Sequence, residues 1–129
     1  MKHLDVTFDL ETASLSPTAA IIQIGAVAWN RFEEKSERLF DDAYEVSFGV
    51  DLRSAMMAGF DFDPETCKWW SKRDAALKNS ILSEHVEHIK DVLLSFKAWL
   101  EEVRSTSSAE SICLWAQGSD FDVSVLRNA

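Results

Sequence analysis

The chain has 129 residues, 47% of them apolar and 27% charged, the balance of one folded domain with room for a core and no signature of disorder. Its 22 acidic and 13 basic residues leave a net charge of −9, which excludes a broad, sequence-neutral nucleic-acid face, because such binding neutralises phosphates with lysine and arginine. No apolar run is long enough to span a membrane, and the opening "MKHLDVTFDL" lacks a signal peptide's apolar stretch and cleavage site; a cytoplasmic protein is expected, with Cys67 and Cys113 reduced and buried.

In chain order, Leu4, Val6, Phe8 and Leu10 alternate with His3, Asp5, Thr7, Asp9 and Glu11, a strand with one polar face. "SLSPTA" (14–19) reads as a turn, and "AIIQIGAVAW" (20–29) as a strand buried on both faces. The charged "NRFEEKSERLFDDA" reads as a loop. Tyr44, Val46, Phe48, Val50 and Leu52 again recur with period two, a third strand. Helices are expected after residue 60. "DPETCKWWSKRDAALKN" (63–79) starts with Asp63 as N-cap, Pro64 at the first helical position and Glu65 in the first turn. A second helix is expected over 83–104, with Val86, Ile89, Leu93, Phe96, Leu100 and Val103 facing a core. "ICLWA" (112–116) is a fourth strand, and "SDFDVSVLRNA" a third helix capped by Ser119. Short connections make the first three strands an antiparallel meander, and a strand reached through a helical crossover is parallel to one of them. The fold class is α/β, a mixed sheet with flanking helices, in a single domain over 1–129.

Asp9 and Glu11 project from one face of the first strand, with Cα atoms roughly 6–7 Å apart. Such a pair is either an ordinary polar strand end or two hard oxygen ligands for Mg²⁺ or Mn²⁺. Asp122 follows the fourth strand. If that strand lies parallel and next to the first, Asp122 reaches the same sheet edge, where three carboxylates are costly without cations. Asp120 competes for the position, but Asp122 shares a helix face with Val125 and Leu126, and Asp120 suits a first helical turn.

Together "FDLET", "IIQIGAVAW", "TCKWW" and "WAQGSDFDVSVLRNA" resemble the DEDD superfamily of 3′–5′ exonucleases, with a ribonuclease H-like fold, and most nearly its phage and prophage exodeoxyribonuclease VIII-like branch. The resemblance runs from residue 4 to residue 129. It implies that Asp9, Glu11 and Asp122 are catalytic, holding two Mg²⁺ or Mn²⁺ ions for phosphodiester hydrolysis from a nucleic-acid 3′ end, single-stranded DNA or RNA. Lys68, Lys72, Arg73 and Lys78 beside Trp69 and Trp70 are either a base-stacking basic flank or a solvated face over core tryptophans. The family pattern also needs a fourth Asp, preceded by a His or Tyr, downstream of Asp122. His3, His85, His88 and Tyr44 are all placed elsewhere, and the sequence closes at Ala129. A truncated domain is therefore expected, with an uncovered sheet that favours a homo-oligomer and with weak activity or none. The alternative to an enzyme is a non-catalytic remnant or interaction module.

Overall fold

The computed structural model describes residues 3–30, 44–72, 86–116 and 119–129. Its elements are β1 (His3–Thr12), β2 (Ile21–Trp29), β3 (Glu45–Val50), α1 (Leu52–Met57), α2 (Pro64–Ser71), β4 (Val86–Glu87), α3 (Ile89–Thr106), β5 (Ser111–Trp115) and α4 (Ser119–Asn128). The five strands form one sheet in the order β4-β3-β2-β1-β5. β1, β2 and β3 make the antiparallel meander, while β5 runs parallel to β1 and β4 parallel to β3. This is the mixed α/β sheet with flanking helices expected of a ribonuclease H-like exonuclease.

Period two dictates the inner face. Leu4, Val6, Phe8 and Leu10 of β1 are buried beside Ile22, Ile24, Ala26 and Ala28 of β2, in a register that pairs Leu10 with Ile24, Phe8 with Ala26 and Val6 with Ala28. Ile24 continues the row to Phe48 on β3. α3 closes over this face with Ile89, Val92, Phe96, Trp99 and Val103, and Phe96 meets Phe48 edge-on at 6.5 Å. Removing such a side chain from water contributes about 1.5–3 kcal/mol, so these two rows and the α3 stripe dominate the core.

Several expectations are corrected. β2 is not buried on both faces: Val27 is exposed, and Gln23, Gly25 and Trp29 are half-buried. Its apolar beginning reflects a register shift between Glu11, opposite Gln23, and Thr12, opposite Ile21. That irregularity turns Ile21 and Ile22 inward in succession. The third strand ends at Val50 rather than Leu52. Asp51 caps an unanticipated α1 there by accepting the Arg53 N–H at 3.1 Å.

The second long helix begins at Ile89 rather than 83. Val86 and Glu87 pair with Gly49 and Val50 as an edge strand, and His88, expected within the helix, is its N-cap through Nδ1 and the Lys90 N–H. On α3 Val92 and Trp99 sit deeper than Leu93 and Leu100. Asp63 caps α2 as expected, accepting the Thr66 N–H at 2.9 Å. Neither cysteine is buried: Cys67 on α2 is exposed, with its Sγ 3.9 Å from the Ala13 carbonyl, and Cys113 is half-buried on the edge strand β5. His85, the 73–85 half of the expected helices and the Ser119 cap lie outside the described residues and side chains. Among the described residues no helix is long and apolar enough to cross a membrane.

Candidate active site

β1 outruns its parallel neighbour. β5 pairs with His3–Thr7 alone, so among the described residues no strand flanks that edge of β1 from Phe8 to Thr12. The chain leaves β5 and turns into α4, and this crossing sets down Asp122. Its side chain is 6% exposed, and Val125, three residues on, is 1% exposed, the shared inner helix face that the spacing implied. The Leu10 backbone N–H lies close enough to the Asp122 carboxylate to favour its charged form. A strand amide that has outrun its partner strand thus faces a side-chain carboxylate, and an acid from α4 comes to lie beside "FDLET".

Asp9 and Glu11 stand on the opposite face of β1 from Phe8 and Leu10, Asp9 exposed and Glu11 half-buried. Glu11 keeps its proton to higher pH than an ordinary glutamate, chiefly through burial, with repulsion from Asp9 and then Asp122 adding to it. Asp122 is raised too, by burial first and Asp9 second, while the Leu10 N–H pulls the other way. The three carboxyls therefore feel one another's charge across the end of β1. Among the described residues no three His, Cys, Asp or Glu side chains are close enough, as they stand, to share a single ion. The donor set fits hard divalent cations on its chemistry, since these are hard oxygen groups that repel one another where bound cations would offset the repulsion. The side next to Asp9 is open: Gly25 lies opposite it on β2, and a Cβ there would meet nothing within 4 Å. Asp120 stands near the start of α4, its side chain outside the described set.

Beside Glu11 lies a cleft of about 430 Å³ whose lining includes Glu11, Thr12, Leu15, Thr66, Trp69 and Trp70. α2 forms one wall, and Trp70 ties that wall to the strand end by donating Nε1–H to the Thr12 carbonyl at 2.9 Å. Trp69 meets Trp70 edge-on at 4.8 Å and is 48% exposed. The two expectations for this pair are thus divided between them: Trp70 packs against the core and Trp69 presents itself to solvent. Lys68 and Lys72 are exposed on α2, while Arg73 and Lys78 lie outside the described residues.

The remaining candidates stand apart. His3 is at the start of β1, bonded to Ser111, roughly 20 Å along the strand from Asp9. His88 caps α3, and Tyr44 is buried just before β3. Sequence reasoning missed the Leu10 amide and the Thr12 carbonyl, which have no side-chain signature, and Leu15, a lone apolar residue within a turn; "TCKWW" was the one visible trace of the cleft.

The 3′–5′ exoribonuclease Rv2179c-like domain model matches residues 4–129, spanning β1 through α4. No curated protein matches the sequence. The match covers nearly all of the chain, including the strand and the helix that bring three carboxyls together, and the chain belongs to the 3′–5′ exoribonuclease Rv2179c-like domain family.

Proposed function

We propose that this chain removes nucleotides from the 3′ end of single-stranded RNA in a reaction that requires Mg²⁺ or Mn²⁺, with Asp9, Glu11 and Asp122 holding two ions. The observation that carries this reading is the convergence of three carboxyls, Asp9 and Glu11 from the end of β1 and buried Asp122 from α4, whose repulsion raises Glu11 and Asp122 and would be relieved by cations. The description of the family, a 3′–5′ exoribonuclease-like domain, supports RNA over DNA as the substrate. The chemistry such ions supply when bound is charge neutralisation at the scissile phosphate and a lower pKa for the attacking water.

The chain's own residues bind and orient. Glu11 belongs to both the acidic group and the cleft, so a nucleotide seated in the cleft has its phosphate beside the carboxyls. Trp69 offers the terminal base an exposed indole face. Lys68 and Lys72 provide local positive charge that a net charge of −9 otherwise denies the substrate.

The test is incubation with 5′-labelled single-stranded RNA and DNA, with Mn²⁺ or with EDTA, beside an Asp9→Ala control. A shortening ladder on RNA is expected that needs metal and falls by about 10²–10³-fold or more in Asp9→Ala. A second reading, a non-catalytic module of the same fold, is favoured by one observation: among the described residues the histidines and Tyr44 lie away from the carboxyls. Metal binding by calorimetry without any ladder, at every protein concentration tried, would establish that second reading. A ladder only at high concentration would mean that a second copy completes the site.

A further inference from the structure

The turn between β1 and β2 carries Leu15, 78% exposed, to the lip of the cleft on the side facing α2. A large apolar side chain held so far into water needs its backbone fixed if it is to have one position. Asp61 supplies the fixing. Its Oδ2 accepts the Ser14 Oγ–H at 2.5 Å and the Ser16 Oγ–H at 3.1 Å, so one carboxylate oxygen grips the residues on either side of Leu15. Ser14 is itself 2% exposed, and its Oγ in turn accepts the Ser16 N–H at 3.1 Å. Backbone bonds complete the clamp: Ala20 N–H to the Asp61 carbonyl, Asp61 N–H to the Thr18 carbonyl, and Asp63 N–H to the Ala13 carbonyl, at 2.8–2.9 Å. Asp63 caps α2 at the next step, so one short segment joins both walls of the cleft.

We infer that Asp61 is a positioning residue for substrate: it holds Leu15 opposite Trp69 and so sets the width of the cleft, acting on binding and not on the chemical step. The inference rests on the nucleotide-binding reading of the cleft, and it predicts a pattern that a merely structural role would not produce. Asp61 lies outside the group of carboxyls that repel one another, which leaves the reacting end of the site unaltered when it is replaced.

The experiment uses the full chain and its Asp61→Ala, Asp61→Asn and Ser14→Ala variants, with the labelled single-stranded oligoribonucleotide as probe. In Asp61→Ala, KM and the dissociation constant for the oligonucleotide in Ca²⁺ are expected to rise about tenfold with kcat within about twofold. Asp61→Asn, which keeps one oxygen acceptor, should recover most of the affinity, and Ser14→Ala should resemble Asp61→Ala. Hydrogen exchange of the Ser16 and Ala19 amides should quicken in Asp61→Ala. A fall in kcat at unchanged KM, or exchange as slow as in the parent chain, would overturn the inference. If the parent chain neither binds nor shortens RNA, the nucleotide reading of the cleft fails, the role in substrate binding falls with it, and the exchange rates separately decide whether Asp61 holds the loop.

Discussion

Asp122 does two jobs with one side chain: it faces the Leu10 amide and adds a third charge to the end of β1. Asp122→Asn keeps an oxygen for that amide and removes the charge, and Glu11→Gln removes the neighbouring one. Both carboxyls hold their protons to higher pH in the folded chain than in the unfolded one. Between the unfolded value and the raised folded one the native state binds more protons, so stability falls as pH rises through that window, and above it the penalty stays constant. In EDTA, either substitution is expected to raise the melting temperature at pH 7 and to leave it unchanged near about pH 3, where both carboxyls are protonated. A gain of equal size at both pH values would assign the effect to packing instead of charge. Trp69→Ala should barely move the melting temperature, because the indole is half in water, yet raise KM on RNA about tenfold through lost stacking.

At the scale of elements, the offset between β1 and β5 matters most. Equal strands would pair Leu10 with a neighbouring strand and leave no place for Asp122. α3 carries an unused opportunity at its other end: Ser107 is the C-cap, and Ser108 follows with φ of 56°, the left-handed conformation glycine adopts without cost. Ser108→Gly is expected to stabilise the chain by about 0.5–1 kcal/mol in urea denaturation. A loss would mean that the Ser108 side chain makes a contact worth more than the backbone strain. The long elements were legible because ten or more residues of a steady period leave little ambiguity. α1 and β4 were not, since a six-residue helix and a two-residue strand are too short for periodicity to register. The shift between Glu11 and Thr12 was equally hidden, because the apolar run "AII" suits several registers.

At the scale of the molecule, the large side chains of the described core come chiefly from the inner sheet face and α3, with Ala55 of α1 and Val125 of α4 beside them, so stability depends on few side chains. Phe96, 3% exposed and in ring contact with Phe48 and Trp99, is the keystone of that face. Phe96→Ala is expected to cost about 3–5 kcal/mol, a large part of the roughly 5–15 kcal/mol that holds a domain of this size folded, and should be read as a shifted urea midpoint with unchanged slope. A charge of −9 also means that the whole-molecule field opposes any polyanion, so the proposed binding of RNA has to rest on local groups such as Lys68 and Lys72 and on the proposed cations.

Asp9 and Glu11 share a face whatever the rest of the chain does, because strand backbone repeats every two residues; Asp122 shares one with Val125 because a helix repeats every three to four. Those relations, with the order of the long elements and the Asp63 cap, lie in the sequence alone, and they suffice for the fold class and for naming three acids. What tertiary structure decided is where groups far apart in sequence meet: the Leu10 amide on Asp122, the Thr12 carbonyl on the Trp70 indole, the Ser14 hydroxyl on Asp61. Each joins residues dozens of positions apart and, except in the last pair, uses a backbone atom that every residue possesses. No local period marks such an atom, and only the packing of the sheet against its helices selects it.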